Sequence, residues 1–173
     1  MPDDRIIGVS GFFDPIGAAS AFTGVPSSVF VLFQMMLCAT SATIVSGAMA
    51  ERTKFVSYLI CSAVMSMIIY PVTGHWIWGG WLSGTGFHDL AGSGAVHMVG
   101  GICAFVGAFL VGPRKGKYTK AGKSVAILGH NIPMSFLGTF ILWLGWFGFN
   151  CGSAMALTGN AGMIAINNVM ASS

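Results

Sequence analysis

Two long stretches without charge most limit what this chain can fold into. No charged residue occurs between Asp14 and Glu51, and none occurs from Ser124 to Ser173. About 20 mainly apolar residues in a helix cross the ~30 Å hydrocarbon core of a bilayer. Charged residues make up only 8% of the chain, against about 25% in an ordinary soluble domain. The sequence therefore predicts an all-α membrane protein, a polytopic bundle of transmembrane helices.

Composition also argues against other functional classes. A net charge of +3 is too small to form a surface that follows nucleic-acid phosphates. So few charges cannot cover a water-soluble enzyme, and we expect no enzyme activity, no cofactor and no nucleic-acid partner. The cysteines lie in apolar stretches without metal-like spacing, and we predict small buried residues rather than disulfides. They are Cys38, Cys61, Cys103 and Cys151.

The charges divide the chain into an outer N-terminal segment, residues 1–28, and a membrane domain, residues 29–173. Basic residues concentrate in the loops 51–54 and 112–123, which share a side if every helix spans. The positive-inside rule makes that side cytoplasmic and places the chain start outside. The half-polar last segment lacks flanking anchors, so we interpret the sequence as part of a larger membrane protein. The predicted helices cover about 29–50, 55–78, 91–111, 125–149 and 154–170.

His97 is the sharpest candidate, because an ionisable side chain in mid-membrane is costly unless it faces a cavity or a partner. Small residues such as Gly94, Gly100 and Gly107 lie on its helical face, which lets another helix approach closely. His97 could form a hydrogen bond across that helix interface, or it could line a polar conduit and relay a proton. A metal site formed with other histidines is disfavoured, because no i, i+4 pairing exists.

Asp89 and Trp78 are candidates at the outer ends of the helices. The Asp89 carboxylate can cap the first turn of the third helix, which is the favoured interpretation, and a buried anion there would also attract cations. Trp78, with Trp76 and Trp81, fits either an interfacial aromatic belt or a ring face for a cation. Composition does not choose between these two roles.

Four further residues lie at the same predicted outer level. Phe33 and Leu37, four residues apart, share a face of the first helix. Phe149 ends the fourth helix, and the Ser153 hydroxyl that follows could accept a bond from a donor ligand. Taken singly, each is ordinary packing.

Five ordered strings carry a resemblance that no single residue carries. The strings lie on the predicted helices and their ends, in an order and spacing similar to the ammonium transporter (Amt/MEP/Rh) family, in its Amt branch. The resemblance covers nearly the whole chain from Val29 onward, as helices three to six and the start of seven. The strings are AERTKF (50–55), GHWIWGG (74–80), DLAGSGAVH (89–97), HNIP (130–133) and GWFGFNCGS (145–153).

The resemblance implies transmembrane transport of ammonium and ammonia through a pore in each subunit of a plasma-membrane homotrimer. Trp78 resembles the outer tryptophan that contacts ammonium, and Ser153 resembles the serine beside it. Phe33 matches an outer aromatic residue near this recruitment site, and Asp89 matches the aspartate that supports it. Ammonium would lose its proton there before ammonia crosses the pore.

The resemblance also implies roles for residues that line the pore. His97 resembles the first of two histidines that line the conduit, and the second would lie beyond Ser173. Phe149 resembles one of two stacked gating phenylalanines. Leu37 stands where the other phenylalanine usually lies, which departs from the family pattern. The alternative implied by that departure is an ammonium sensor, or transceptor, without efficient transport.

Overall fold

The computed structural model describes residues 6–8, 14, 16–17, 25–156 and 159–172. The chain divides into two compact units, Met1–Gly116 and Lys117–Ser173. Within the described residues, four helices are long and apolar enough to cross a membrane. This confirms the predicted polytopic helical membrane fold. They cover Ser27–Met49, Phe55–Thr85, Ser93–Val111 and Ile132–Cys151.

The first two spans follow the apolar runs closely. Helix α1 covers Ser27–Met49 and begins directly after Pro26. The second span contains α2, Phe55–Val64, a π-helical turn, Met65–Ile69, and α3, Tyr70–Trp78, and it ends in a short 3-10 helix, Ser83–Thr85. The π-helical turn ends two residues before Pro71, which has no N–H for the carbonyl four residues earlier. A wider turn accommodates that missing bond.

The third span also begins with a π-helical turn. Residues Ser93–Met98 form this turn, and α4 continues as Val99–Val111. Gly92, directly before it, has a φ of 96°, a left-handed conformation that favours glycine. His97 therefore lies on the widened turn and not on a regular α-helix.

Small residues on the third span let α1 approach α4 closely. A Cβ atom at Gly100 would lie 2.8 Å from the Ser41 carbonyl oxygen, and one at Gly107 would lie 3.2 Å from the Met49 sulfur. These contacts confirm that the predicted small-residue face packs against protein at both positions, whereas Gly101 faces open space. The buried core beside this crossing consists of Ala42, Val45, Met65 and Val99.

The two loops predicted to share a side meet at one end of the first unit. The Arg52 guanidinium donates to the Ala48 carbonyl at the end of α1 and to the Gly112 carbonyl that follows α4. Glu51 and Arg114 form an ion pair at 2.8 Å. The two loops therefore contact each other beside the end of α1 and the end of α4.

The second unit contains the fourth span and a shorter helix. Helix α5 covers Ile132–Trp146 and continues as a π-helical turn, Phe147–Cys151. It begins later than the predicted 125–149 because Asn131 caps it, with its side-chain oxygen accepting the Met134 N–H at 3.0 Å. Pro133 occupies the first turn, a position where its missing N–H costs little.

Helix α6 in the second unit covers Ala161–Ser172, whereas the sequence predicted about 154–170. Met155 and Gly159 have positive φ angles of 53° and 63°, which break helical geometry before Ala161. At 1.5 Å per residue the described part of α6 is about 18 Å long, shorter than the ~30 Å hydrocarbon core.

Candidate functional site

The Asp89 carboxylate binds the start of the third span. Its Oδ1 atom accepts the N–H groups of Gly92 at 2.6 Å and Ser93 at 2.9 Å. Its Oδ2 atom accepts those of Gly94 at 2.8 Å and Ala95 at 2.9 Å. The expected helix cap is therefore present, and it satisfies backbone donors that have no partner within the helix.

These bonds keep Asp89 charged although it is only 6% exposed. Burial raises the pKa of the Asp89 carboxyl, but the bonds from the four backbone N–H groups outweigh it and leave the pKa below its ordinary value. Both oxygen atoms are already occupied by donors from its own chain. Asp89 is thus suited to hold other groups in place rather than to bind a ligand directly.

Trp78 is held by the same residue. Its indole N–H donates to the Asp89 main-chain carbonyl oxygen at 2.8 Å. Because this bond holds one edge of the half-buried Trp78 indole, it restrains the orientation of the ring. Trp76 instead bonds the Ile6 carbonyl at 2.9 Å, and its ring lies 6.2 Å from that of Trp81. The three tryptophans are therefore not equivalent.

His97 belongs to the same hydrogen-bonded network through Gly92. The His97 Nδ1 atom lies 3.2 Å from the Gly92 carbonyl oxygen. Because a carbonyl can only accept, Nδ1 carries the proton in this contact, and a neutral ring then has Nε2 as an acceptor. Gly92 also donates its own N–H to Asp89. Trp78, Asp89 and His97 are thus connected in one chain of bonds.

Gly92 is a site residue that the sequence reasoning did not single out. Its carbonyl oxygen also accepts the N–H groups of Val96 at 2.9 Å and His97 at 3.0 Å. A Cβ atom at Gly92 would lie 2.5 Å from the Val96 side chain. The signal in the sequence was a glycine three residues after the capping aspartate and five residues before the histidine.

Phe33 and Leu37 lie on α1, one turn apart. Leu37 is among the most buried side chains, at 2% exposure, and Phe33 is half-buried. Leu37 therefore has the environment of a core residue within the first unit.

Phe149 and Ser153 lie together in the second unit. The Ser153 hydroxyl donates to the Phe149 carbonyl at 2.7 Å. Because the hydroxyl proton is used in this bond, the oxygen atom can act only as an acceptor toward other groups. The hydroxyl oxygen is thus able to accept a hydrogen bond from a donor ligand.

Metal-binding residues do not cluster in the described part of the chain. No group of three or more His, Cys, Asp or Glu side chains there could hold a metal ion.

These features define a class: a polytopic α-helical membrane protein with an aromatic residue and a histidine connected through one helix start. The family model described as Ammonium Transporter Family matches residues 3–173. The chain belongs to this family.

Curated relatives agree with this assignment. A protein named Ammonium transporter Amt2 from Archaeoglobus fulgidus is 53% identical over 135 residues, which cover 72% of this chain and 29% of that protein. A putative ammonium transporter from Synechocystis is 47% identical over 156 residues, covering 83% of this chain and 29% of that protein. The chain therefore matches less than a third of the length of either relative.

A solved structure shares the fold. The protein called Sensor Amt Protein is 42% identical, with a TM-score of 0.88, and the match covers 96% of this chain and 42% of that chain. The chain therefore has the same fold as the corresponding part of that protein.

Proposed function

We propose that this chain contributes to a pathway that moves ammonium and ammonia across a membrane. Membership of the Ammonium Transporter Family supports the choice of substrate. The observation that carries the proposal is the bonded chain of Trp78, Asp89, Gly92 and His97. It connects an aromatic surface for a cation to an imidazole inside a transmembrane span.

Recruitment is the first proposed step. Ammonium is a cation, and transferring it bare into an apolar pore is costly. The Trp78 ring would replace part of its water, since a cation over an aromatic face gains about 0.5–2 kcal/mol depending on desolvation. Asp89 fixes that ring through its carbonyl. Phe33 would add aromatic surface, and the Ser153 hydroxyl would accept an ammonium N–H.

Deprotonation and conduction follow. Once the ion sheds its proton, neutral ammonia can cross an apolar bore at much lower cost than the ion. The Nε2 atom of His97 would take up the proton that the ion sheds and, after passing it on, would accept an N–H of the passing ammonia. Phe149 would form one part of the gate, and Leu37 would replace the aromatic ring usual at the other.

The setting is proposed on the same basis. The protein would lie in the plasma membrane with its chain start outside and the loops 51–54 and 112–123 in the cytoplasm, because these loops hold most basic residues. The complete protein would assemble as a homotrimer with a pore in each subunit, as the family resemblance implies.

A matched pair of tryptophan variants tests the function. In vesicles containing the complete protein, Trp78→Leu should raise the KM for ammonium by about tenfold, because the fixed ring face is lost. Trp81→Leu, at a ring that is 52% exposed, should leave it nearly unchanged. Equal effects of the two substitutions, or no ammonium uptake by the unmodified protein, would contradict the proposal.

A second function is favoured by one comparison. The solved structure at 42% identity is called Sensor Amt Protein, and Leu37 departs from the aromatic residue usual at the gate. In this alternative the chain binds ammonium and signals without efficient transport. Saturable ammonium binding by the complete protein, without measurable uptake into vesicles, would favour the sensor.

A further inference from the structure

We infer that Asn150 and Asn168 form a positioning pair that orients Phe149 and Ser153 and thereby sets substrate selectivity. The inference rests on the function proposed above, because it concerns two of the residues given roles there. Asn150 and Asn168 have no role of their own in the proposed transport. They lie in the second unit, and every contact used below is within that unit.

The two amides join separate elements. The Asn150 Nδ2 atom donates to the Asn168 Oδ1 atom at 2.7 Å. Asn150 belongs to the π-helical turn Phe147–Cys151, and Asn168 lies on α6. The bond therefore attaches the turn that presents Phe149 to a helix 18 residues further along the chain.

Burial makes this bond specific. Asn168 is 7% exposed, and its Nδ2 atom has no hydrogen-bond partner among the described residues. A buried amide donor without an acceptor is costly, whereas an apolar side chain in the same place would not be. A buried polar contact can instead fix one register between two helices, because sliding would leave both amides unpaired. This pair is therefore better explained by positioning than by stability.

A second contact keeps α6 in the same register. The Trp143 indole N–H donates to the Ser172 hydroxyl oxygen at 2.7 Å, and that hydroxyl donates to the Asn168 carbonyl at 2.6 Å. Asn168 thus receives one bond at its side chain and another at its main chain.

The position of Asn150 is transmitted directly to the proposed ligand groups. Asn150 follows Phe149 in the chain, and the Phe149 carbonyl accepts both the N–H of Ser153, at 3.2 Å, and its hydroxyl, at 2.7 Å. A rotation of the π-helical turn would therefore move the Phe149 ring and the Ser153 hydroxyl together. Selectivity between ammonium and its larger methylated analogue depends on that spacing.

Alanine substitutions in the complete protein test the pair. Asn150→Ala and Asn168→Ala should each change the ratio of ammonium to methylammonium uptake by roughly three- to tenfold, the range expected for one lost hydrogen bond. The double variant should be no worse than the more affected single variant, because both remove the same bond. Asn167→Ala, at an exposed neighbour on α6, is the matched control and should leave the ratio unchanged.

Several results would overturn the positioning role of Asn150 and Asn168. An unchanged ratio with a reduced amount of folded protein would mean that the pair is only structural and would overturn the inference. Additive effects in the double variant would also overturn it. If Asn168→Ala does not reach the membrane, Asn150→Ala at the half-buried partner decides in the same way. Normal uptake with an unchanged ratio overturns only this inference, whereas no uptake by the unmodified protein overturns the transport proposal and this inference with it.

Discussion

Trp78 and Asp89 are joined through the main chain and not through the carboxylate. The indole N–H donates to the Asp89 carbonyl at 2.8 Å, while the carboxylate of the same residue binds the start of the third span. One residue thus positions an aromatic ring with its backbone and a helix with its side chain. Replacing the Asp89 side chain should therefore act on Trp78 indirectly, by moving the backbone.

Asp89→Ala should strongly destabilise the protein. It leaves four buried or half-buried N–H groups without an acceptor, and an unsatisfied buried donor costs about 1–3 kcal/mol. Asp89→Asn should cost less, because the amide oxygen can still serve one pair of donors while its nitrogen cannot accept. The measurement is the free energy of unfolding in detergent. Asp14→Asn, an exposed carboxylate that bonds the Gly17 N–H, is the control; an Asp89→Ala variant as stable as this control would contradict the capping role.

Acidification should remove the contribution of Asp89. Burial raises the pKa of Asp89, but the four N–H bonds lower it by more than burial raises it. The folded-state pKa therefore lies below the ordinary value of 3.8. The stabilising contribution of Asp89 is therefore complete at pH values above 3.8. It is lost as the pH falls through the folded-state pKa. Unfolding free energies measured from neutral pH to about pH 2 should fall less steeply for Asp89→Asn than for the unmodified protein. Parallel curves for the two proteins would argue against this linkage.

Gly92→Ala should disrupt the link between Asp89 and His97. The backbone there has a φ of 96°, and an added Cβ atom would lie 2.5 Å from the Val96 side chain. Gly86→Ala is the matched control, since its φ is 88° but nothing lies within 4 Å of the added atom. Both variants should lose about 1–3 kcal/mol from backbone strain, and Gly92→Ala should lose more from the clash. Equal melting temperatures for the two would show that the clash relaxes without cost.

Neighbouring glycines on α4 should respond in opposite ways. Gly100→Ala places a Cβ atom 2.8 Å from the Ser41 carbonyl, so α1 and α4 must move apart and stability should fall by about 1–3 kcal/mol. Gly101→Ala faces open space and should be neutral, or gain up to about 1 kcal/mol from helix propensity. Thermal unfolding of both variants distinguishes these effects, and a similar response would mean that this helix crossing is loose.

His97→Ala should impair or alter ammonium transport by the complete protein. The substitution removes both the bond to the Gly92 carbonyl and the ring nitrogen proposed to accept from the passing molecule. His88→Ala, at an exposed loop position, should have little effect. Uptake rate, ion selectivity and the current carried per ammonium are the quantities to measure. If all three remain unchanged in His97→Ala, the conduit role is wrong.

Hydrophobicity predicted the membrane fold well because the bilayer sets the length of each span. The spans beginning at Ser27 and Phe55 start within two residues of the predicted positions. The cap at Asp89 was also predictable, since it depends on local chain geometry just before a helix. Which residues the cap would hold in place was not, because the Trp78 bond joins residues 11 positions apart through a folded loop.

The remaining differences have local causes that hydrophobicity does not report. The π-helical turns at Met65 and Ser93 change which residues share a face, and a search for 3.6-residue periodicity cannot detect them. Residues 125–128 are apolar enough to belong to the fourth helix, yet the Asn131 cap and Pro133 fix its start. The role of Gly92 depends on a φ angle, which composition does not reveal.

The Arg52 guanidinium has a mechanical consequence for the first unit. It bonds the carbonyl of Ala48 on α1 and the carbonyl of Gly112, which follows α4. Gly112 lies 60 positions after Arg52 in the chain. A piston-like slide of one helix past the other by a single turn is about 5.4 Å, enough to break one of these bonds. The two bonds therefore oppose a sliding of α1 past α4 at this end of the first unit.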